Sequence, residues 1–349
     1  MIFYFTYYFL ISSYIFISRI IWNKNSLKSL LFPIVLTVLI SGLRGNIGTD
    51  TYAYRHFFNT LWDKDQLLSE NIIFSFEPGF VLFSNLLKLI YDNDQFFIFS
   101  ISTLTGFLFY KLLKHIKERD LFFLTYISMF FVMFNLNLLR FGIAMLLLGL
   151  AFVTTKSKHK LIYFCLAFSF HFSVIFSILF FVKKENIYKY LFTIFTILLI
   201  GFNFIQNKLG AYFLDFIFIS QLKLEITFFV EIFVIYILIK WNNIDLSNNN
   251  LLYCIFLYFI VRWFGSLNDI IYRTSYVFGF IIYLSFFIHK LTFKSRILVN
   301  LLFLFYVYRS LSFLYNSDDA MSNLLFDSSG MNSLYSHTKW IPYKFFWEK

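Results

Sequence analysis

The sequence predicts an all-α, polytopic integral membrane protein of about nine to eleven transmembrane helices, counted as apolar runs near spanning length. Three observations predict it. The 349 residues are 59% hydrophobic and 24% aromatic, with a mean hydropathy of +0.71, and no water-soluble globule has a surface to match. Apolar runs near the spanning length of about 20 residues recur along the chain. Lys and Arg, which leave a net charge of +11, gather in short clusters between those runs, the positive-inside pattern. That placement reads the charge as topology and argues against nucleic acid as a partner.

Residues 1–22 form the first expected span. Their first eighteen positions carry no charge, so they are expected to be a retained span, not a signal peptide. Lys24 and Lys28 follow and place the N-terminus outside. Residues 29–43 return outward. Residues 44–75 are an outer polar loop with Asp50, Arg55, His56, Asp63, Asp65 and Glu70. Residues 77–91 open on Glu77-Pro78-Gly79 and are interrupted by Lys88. They are too short to span easily and read as a re-entrant or interfacial segment. Pro78 suits the first turn of a helix, where its missing N–H costs nothing.

Residues 96–113 span inward to a basic cluster at Lys111, Lys114, Lys117 and Arg119. Residues 121–139 go out to Arg140, and 141–155 return to Lys156, Lys158 and Lys160. Residues 161–182 carry His171 at their middle and end in Lys183-Lys184, on the outside by simple counting. Either the segment is broken near His171 or the charge rule fails there. Residues 190–207 are a further span and 208–225 are interfacial. Residues 226–239 are apolar except for Glu231, 251–267 hold Arg262, and 274–288 lead to His289, Lys290, Lys294 and Arg296. Residues 297–315 are the last span. The chain therefore divides into a helical membrane domain over 1–315 and a polar tail over 316–349, with no soluble domain or internal repeat.

Chemistry is expected where charge is costly. An arginine at mid-membrane costs roughly 2.5–3.5 kcal/mol on insertion scales, so it usually faces a partner or a wet cavity. Arg44, Arg140, Arg262 and Arg273 all lie at or within apolar segments. Guanidinium forks bind phosphate bidentately, and a lipid diphosphate is the anion a membrane cavity would meet. Snorkelling at a helix end is the plain alternative for Arg44 or Arg140 taken alone. Asp269 and Arg273, four apart, would share a face with Arg262 on one continuous helix, unless Gly265-Ser266 breaks it; a simple ion pair explains Asp269 and Arg273 equally well.

Asp50 and Glu77 are candidate bases for a transfer that removes a hydroxyl proton. Asp50 has Tyr54 one turn on. The plain alternative makes both acids helix caps. His171 fits a hydrogen-bonded core histidine as well as a substrate contact. The triplets Asp63-Lys64-Asp65 and Asp92-Asn93-Asp94 have metal-site spacing but read first as turns, so no metal or other cofactor is expected. Cys165 and Cys254 read as small buried apolar residues, not as a disulfide.

Read together, these pieces resemble the EpsG family, relatives of the Wzy polysaccharide polymerases. The likeness rests on Gly42-Leu43-Arg44, Gly48-Thr49-Asp50-Thr51-Tyr52 with Tyr54, and Glu77-Pro78-Gly79-Phe80. It continues through Asn137-Leu138-Leu139-Arg140 with Ile143-Ala144, then His171-Phe172-Ser173, Arg273 and Pro342-Tyr343-Lys344. Where the family often has Gln after the arginine and Pro after the histidine, this chain has Phe141 and Phe172. The resemblance implies a GT-C-like polymerase at the outer face of the bacterial inner membrane. It would move a growing glycan from undecaprenyl diphosphate onto a lipid-linked repeat unit, in O-antigen, capsule or exopolysaccharide synthesis, with a chain-length regulator as a partner.

Asp50 would be the base, with Glu77 second. Arg44, Arg140 and Arg273 would hold diphosphate, and His171 would orient substrate. Tyr54 and Arg262 complete the expected substrate contacts. A lipid-linked oligosaccharide flippase would use the same cations without making a bond, and should show two related halves; none is read here. A membrane glycosyltransferase adding one sugar is a third reading.

Overall fold

A computed structural model describes residues 2–22, 26–47, 50–63, 76–181, 226–244, 251–264 and 269–324. Among these the architecture is all-helical, without a strand. The elements are α1 (Ile2–Trp22), α2 (Leu31–Gly42), α3 (Thr51–Thr60), α4 (Pro78–Ile90), α5 (Asp94–Leu113) and α6 (Arg119–Met129). A π-helical turn follows (Val132–Asn137), then α7 (Leu139–Val153), α8 (Ser157–Phe170) and a 3-10 helix (Phe172–Phe180). Beyond it come α9 (Ile226–Trp241), α10 (Leu251–Phe264), α11 (Asp269–Ile288) and α12 (Phe293–Leu324).

The burial pattern follows from residue spacing. In α1, Tyr4, Tyr7, Tyr8, Ile11 and Ile15 are buried while Phe5, Phe9 and Phe16 are exposed. That is one apolar stripe at helical period, with equally apolar residues on the other face. The Tyr7 hydroxyl meets Thr37 Oγ1 of α2 at 3.0 Å. α7 is the central helix: every position from Leu139 to Ala151 is buried except Arg140. It packs against α5, α8 and α11.

α5, at 20 residues, is the one helix among the described residues that has both the length and the apolarity to cross a bilayer; at 1.5 Å per residue it is about 30 Å long. Residues Leu31–Gly42, Pro78–Ile90, Leu139–Val153 and Thr274–Ile288 are apolar but shorter. Several expected spans are therefore shortened by breaks. The run 121–139 turns from α-helix to π-helix after Met129. The run 161–182 breaks at His171, whose extended backbone ends α8 and starts the 3-10 helix. That answers the ambiguity at His171 in favour of a broken segment. α4 spans 13 residues, too few to cross an apolar layer at 1.5 Å each.

Some expectations fall outside the described residues: the 190–207 span, the 208–225 segment, Lys183-Lys184, Glu70, the Lys64-Asp65 part of the first triplet, and 325–349 of the tail. One correction concerns Cys165, which is exposed; Cys254 is buried as expected. Arg262 lies on α10 while Asp269 and Arg273 lie on α11, and Gly265-Ser266 between them is outside the described residues.

Two polar seams tie the helices at opposite ends. At one, Glu118 accepts from Leu291 N–H at 3.2 Å and from the Arg296 guanidinium at 2.6 Å. Arg19 pairs with Asp120 at 3.2 Å, and the N–H groups of Lys117 and Glu118 donate to the Phe287 carbonyl. Burying these acids is tolerable because each has a guanidinium beside it. The other seam gathers the ends of α2, α3, α4, α5 and α7, and holds most of the expected site.

Candidate functional site

Glu77 and Pro78 set the corner. Pro78 occupies the first turn of α4 and Glu77 the preceding position, where its side chain makes no capping bond. The carboxylate is instead buried against Arg140 in the first turn of α7, forming an ion pair and hydrogen bond. The Arg140 guanidinium also lies over the Phe76 ring, 4.6 Å from its centroid, a cation–π contact. It also lies close enough to Tyr54 to act on it electrostatically.

Two glycines permit this convergence. A Cβ on Gly79 would lie 2.3 Å from Ser169 Oγ and 2.8 Å from the Ser169 carbonyl of α8. A Cβ on Gly142 would lie 2.5 Å from the Phe134 carbonyl in the π-helical turn. Only a residue without a side chain lets those backbones approach.

Tyr54 is buried on α3 and packs on Phe80, with ring centroids 5.7 Å apart. Burial pushes its phenol above the usual value; Arg140 pulls against that shift and Asp50 adds to it. Tyr54 therefore stays a neutral phenol. Asp50 sits at the N-terminus of α3 but, contrary to the capping alternative, its side chain makes no cap bond. Its backbone N–H donates to Asn137 Oδ1 at 3.1 Å. Asp50 lies close enough to act electrostatically on both Tyr54 and Arg140. Asp50, Tyr54, Glu77 and Arg140 thus form one cluster, drawn from three segments, the starts of α3, α4 and α7.

His171 stands nearby through Phe141, the residue after Arg140; the two rings are 4.9 Å apart. Its Nδ1 accepts from Ser173 N–H at 3.3 Å and lies 2.7 Å from Ser173 Oγ. This capping role places the imidazole on a fixed backbone.

Arg44 behaves differently. It is fully buried, and one terminal nitrogen donates to the carbonyls of Ser41, at 3.0 Å, and Asn135. Arg55 donates to the Arg44 carbonyl at 3.2 Å and pairs with Asp94 at 3.0 Å. Arg44 therefore fastens α2 to the π-helical turn, the same turn whose Asn137 holds the Asp50 backbone. Arg262 is not part of this cluster. It pairs at 3.7 Å with Glu231 of α9, in a separate chamber. Arg273 lies on α11, and its side chain is outside the described residues.

Asn135, Asn137, Phe76 and Glu231 were not foreseen. Glu231 had a signal, as the one acid in an otherwise apolar run, and Asn137 stands in the motif that carries the family likeness; Asn135 and Phe76 had none. The triplet Asp92-Asn93-Asp94 lies at the junction of α4 and α5, and Asp94 opens α5. Asn93 caps α5 by accepting from Phe96 N–H at 2.9 Å, Asp92 pairs with Lys88 at 3.3 Å, and Asp94 pairs with Arg55. Lys88 also donates to the carbonyls of Phe58 and Asn59 at the end of α3. Its place in an apolar helix is thereby explained. Among the described residues no group of acids, histidines and cysteines has the arrangement of a metal site.

No curated protein and no solved structure matches the chain. A family model described as the EpsG family matches residues 27–328, most of the sequence. On that match the chain belongs to the EpsG family.

Proposed function

We propose that this protein is a polysaccharide polymerase embedded in the bacterial inner membrane, with its reaction centre on the outer side. Membership of the EpsG family supports a polymerase-like membrane protein. Exposed Phe9, Phe16, Leu89, Phe107, Phe233 and Leu304 on five different helices support lipid as the solvent of the outer faces.

The observation that carries the reading is the convergence of Asp50, Tyr54, Glu77 and Arg140. The transfer joins two lipid-linked glycans. An acceptor hydroxyl attacks the anomeric carbon of the growing chain, the bond from that carbon to undecaprenyl diphosphate breaks, and the hydroxyl proton passes to a base. Asp50 is that base, with Glu77 the second candidate. Arg140, held in orientation by Glu77 and Phe76, stabilises the charge on the departing diphosphate. Tyr54 supplies a neutral phenol to the sugar. His171 orients the substrate, and Arg273 is assigned to the same diphosphate. Arg44 acts by fastening α2 to the turn that holds the Asp50 backbone. The products are O-antigen, capsule or exopolysaccharide chains, with a chain-length regulator as partner.

The test is reconstitution. Purified protein in proteoliposomes, given only undecaprenyl-diphosphate-linked repeat units, should yield a ladder of longer lipid-linked chains. Movement of unextended units across the bilayer without any ladder would refute the polymerase and favour a flippase.

A further inference from the structure

The π-helical turn leads from α6 into α7 and ends at Asn137, just ahead of Arg140. Turns of this kind are rare and occur often at functional sites. This one carries two asparagines, two positions apart, so their side chains do not face the same way. Asn135 is buried and faces the bundle. Its Oδ1 accepts from the Tyr126 hydroxyl at 2.7 Å, and its carbonyl accepts from Arg44. Asn137 is half-buried and faces the start of α3. Its Oδ1 accepts the Asp50 backbone N–H at 3.1 Å, across 87 residues of sequence.

The turn is itself well anchored. The Leu138 N–H donates to the Met133 carbonyl at 2.6 Å, and the Gly142 N–H to the Leu138 carbonyl at 2.8 Å. Gly142 lets α7 lie against the Phe134 carbonyl. Asp50, in contrast, makes no side-chain cap bond to α3. The N–H of a residue that precedes a helix has no partner within that helix. Asn137 supplies one from elsewhere in the fold. One fixed turn thus holds Asp50 through a side chain and runs directly into Arg140.

We propose that Asn137 is a positioning residue for the transfer. Its side-chain amide fixes the Asp50 backbone relative to Arg140, and so sets the distance between the base and the departing diphosphate. The proposal rests on the polymerase reading. Asn137 does not touch the reacting atoms; it acts through Asp50. The task explains the residue type. Tyr54 of α3, Glu77 ahead of α4 and Arg140 of α7 already share the cluster with Asp50, and of these only Arg140 is a cation. An amide oxygen holds the Asp50 N–H without a second negative charge. A carboxylate at position 137 would hold the N–H equally well, but would keep Asp50 protonated to higher pH.

The experiment pairs hydrogen exchange with a rate profile. Exchange of the Asp50 amide is followed in full-length protein in nanodiscs. The same proteins in proteoliposomes are given undecaprenyl-diphosphate-linked repeat units across a range of pH. Asn137→Ala removes the acceptor. Its Asp50 amide should exchange about tenfold faster than in wild type or more. Its kcat should fall about tenfold or more, as misplacement of a reacting group predicts, with KM within about twofold. Asn137→Asp keeps the acceptor. Its Asp50 amide should stay protected, while the acid limb of its rate profile moves to higher pH. Equal Asp50 exchange in wild type and Asn137→Ala would overturn the proposal, and so would a wild-type kcat in Asn137→Ala. A rise in KM at unchanged kcat would overturn it as well, marking Asn137 as a substrate contact. An acid limb in Asn137→Asp that coincides with wild type would reduce Asn137 to a structural tether, and it decides the matter even where Asn137→Ala does not fold. Failure of the polymerase looks different. A wild type that makes no ladder refutes the polymerase, while the exchange comparison still decides whether Asn137 holds Asp50. A wild type that makes a ladder, matched in rate by Asn137→Ala, refutes the positioning role and keeps the polymerase.

Discussion

Glu77 and Arg140 are 63 residues apart and form an ion pair at the corner where α4 and α7 begin. Removing one member of a buried pair strands the other and costs roughly 3–5 kcal/mol. Glu77→Gln keeps the shape and leaves Arg140 uncompensated, so it should lower both the melting temperature and polymer yield. Arg140→Lys keeps the charge but loses the fork and weakens the contact with Phe76. It should lose less stability than Glu77→Gln and at least as much activity. Thermal melting in nanodiscs beside a glycan gel distinguishes the two effects. Equal melting of both variants and wild type would deny the pair a structural share.

The closeness of α7 to the π-helical turn gives a second expectation. Gly142→Ala drives a methyl group toward the Phe134 carbonyl, a backbone atom that moves only with its helix. Overpacking of this kind typically costs about 1–3 kcal/mol. Gly149→Ala on the same helix meets only side-chain carbons of Leu112 and Phe280, at 3.1 Å. There the helix-propensity gain of up to about 1 kcal/mol offsets the contact. Gly142→Ala should therefore melt well below Gly149→Ala. A reversed order would mean that the turn is not where the structure puts it.

The site was legible in parts. Glu77-Pro78-Gly79 announced a helix start, and an arginine opening an apolar run announced Arg140. Spacing along the chain did not show that Glu77 and Arg140 meet, since no local pattern encodes a contact across 63 residues. Arg44 shows a limit of the same kind: a cation beside an apolar run needs a partner, and the backbone carbonyls of Ser41 and Asn135 that accept from it lie where no local pattern shows them. That Arg262 pairs with Glu231 of α9 was not legible either, since the two lie on different helices. Burial patterns such as the α1 stripe were legible because helical period is local. The breaks at Phe130 and His171 were less so, because a π-helical turn and a 3-10 helix keep the same apolar composition as an α-helix.

Metal independence is a third expectation. Asp92 and Asp94 are engaged by Lys88 and Arg55, which leaves that triplet poorly disposed to coordinate a cation. Chelation by EDTA should change the polymerisation rate in proteoliposomes by less than about twofold, a difference far below that of losing an acid–base group. Loss of the ladder on chelation, restored by a divalent cation, would bring the Asp63 triplet back as a metal site.

His171 offers a fourth test, because its cap and its imidazole are separable. His171→Asn retains a side-chain acceptor for Ser173 N–H and should leave the melting temperature within a few degrees of wild type. It removes the ring that packs on Phe141 beside Arg140. If His171 orients substrate, polymer yield should fall about tenfold or more, within the range by which misplacement slows a positioned reaction. Full yield from a stable His171→Asn protein would reduce the histidine to a helix cap.

The last expectation separates the polymerase from the flippase at Asp50. Its carboxylate makes no capping bond, so Asp50→Asn removes a base without removing a cap. The backbone N–H that binds Asn137 is untouched. Positioned acid–base catalysis is worth roughly 10²–10⁴-fold in rate. A loss of that size should erase long chains from a glycan gel while single lipid-linked units still reach the outer face, because transport needs no proton acceptor there. Glu77→Gln is the informative comparison. It also lowers yield, but through the stranded Arg140, and so it should lower melting as well. Asp50→Asn should lower yield with melting nearly unchanged. Long chains persisting in Asp50→Asn at normal protein levels would remove Asp50 from the mechanism and leave Glu77 as the base. Single units trapped on the cytoplasmic side would instead identify the protein as a transporter of its glycan.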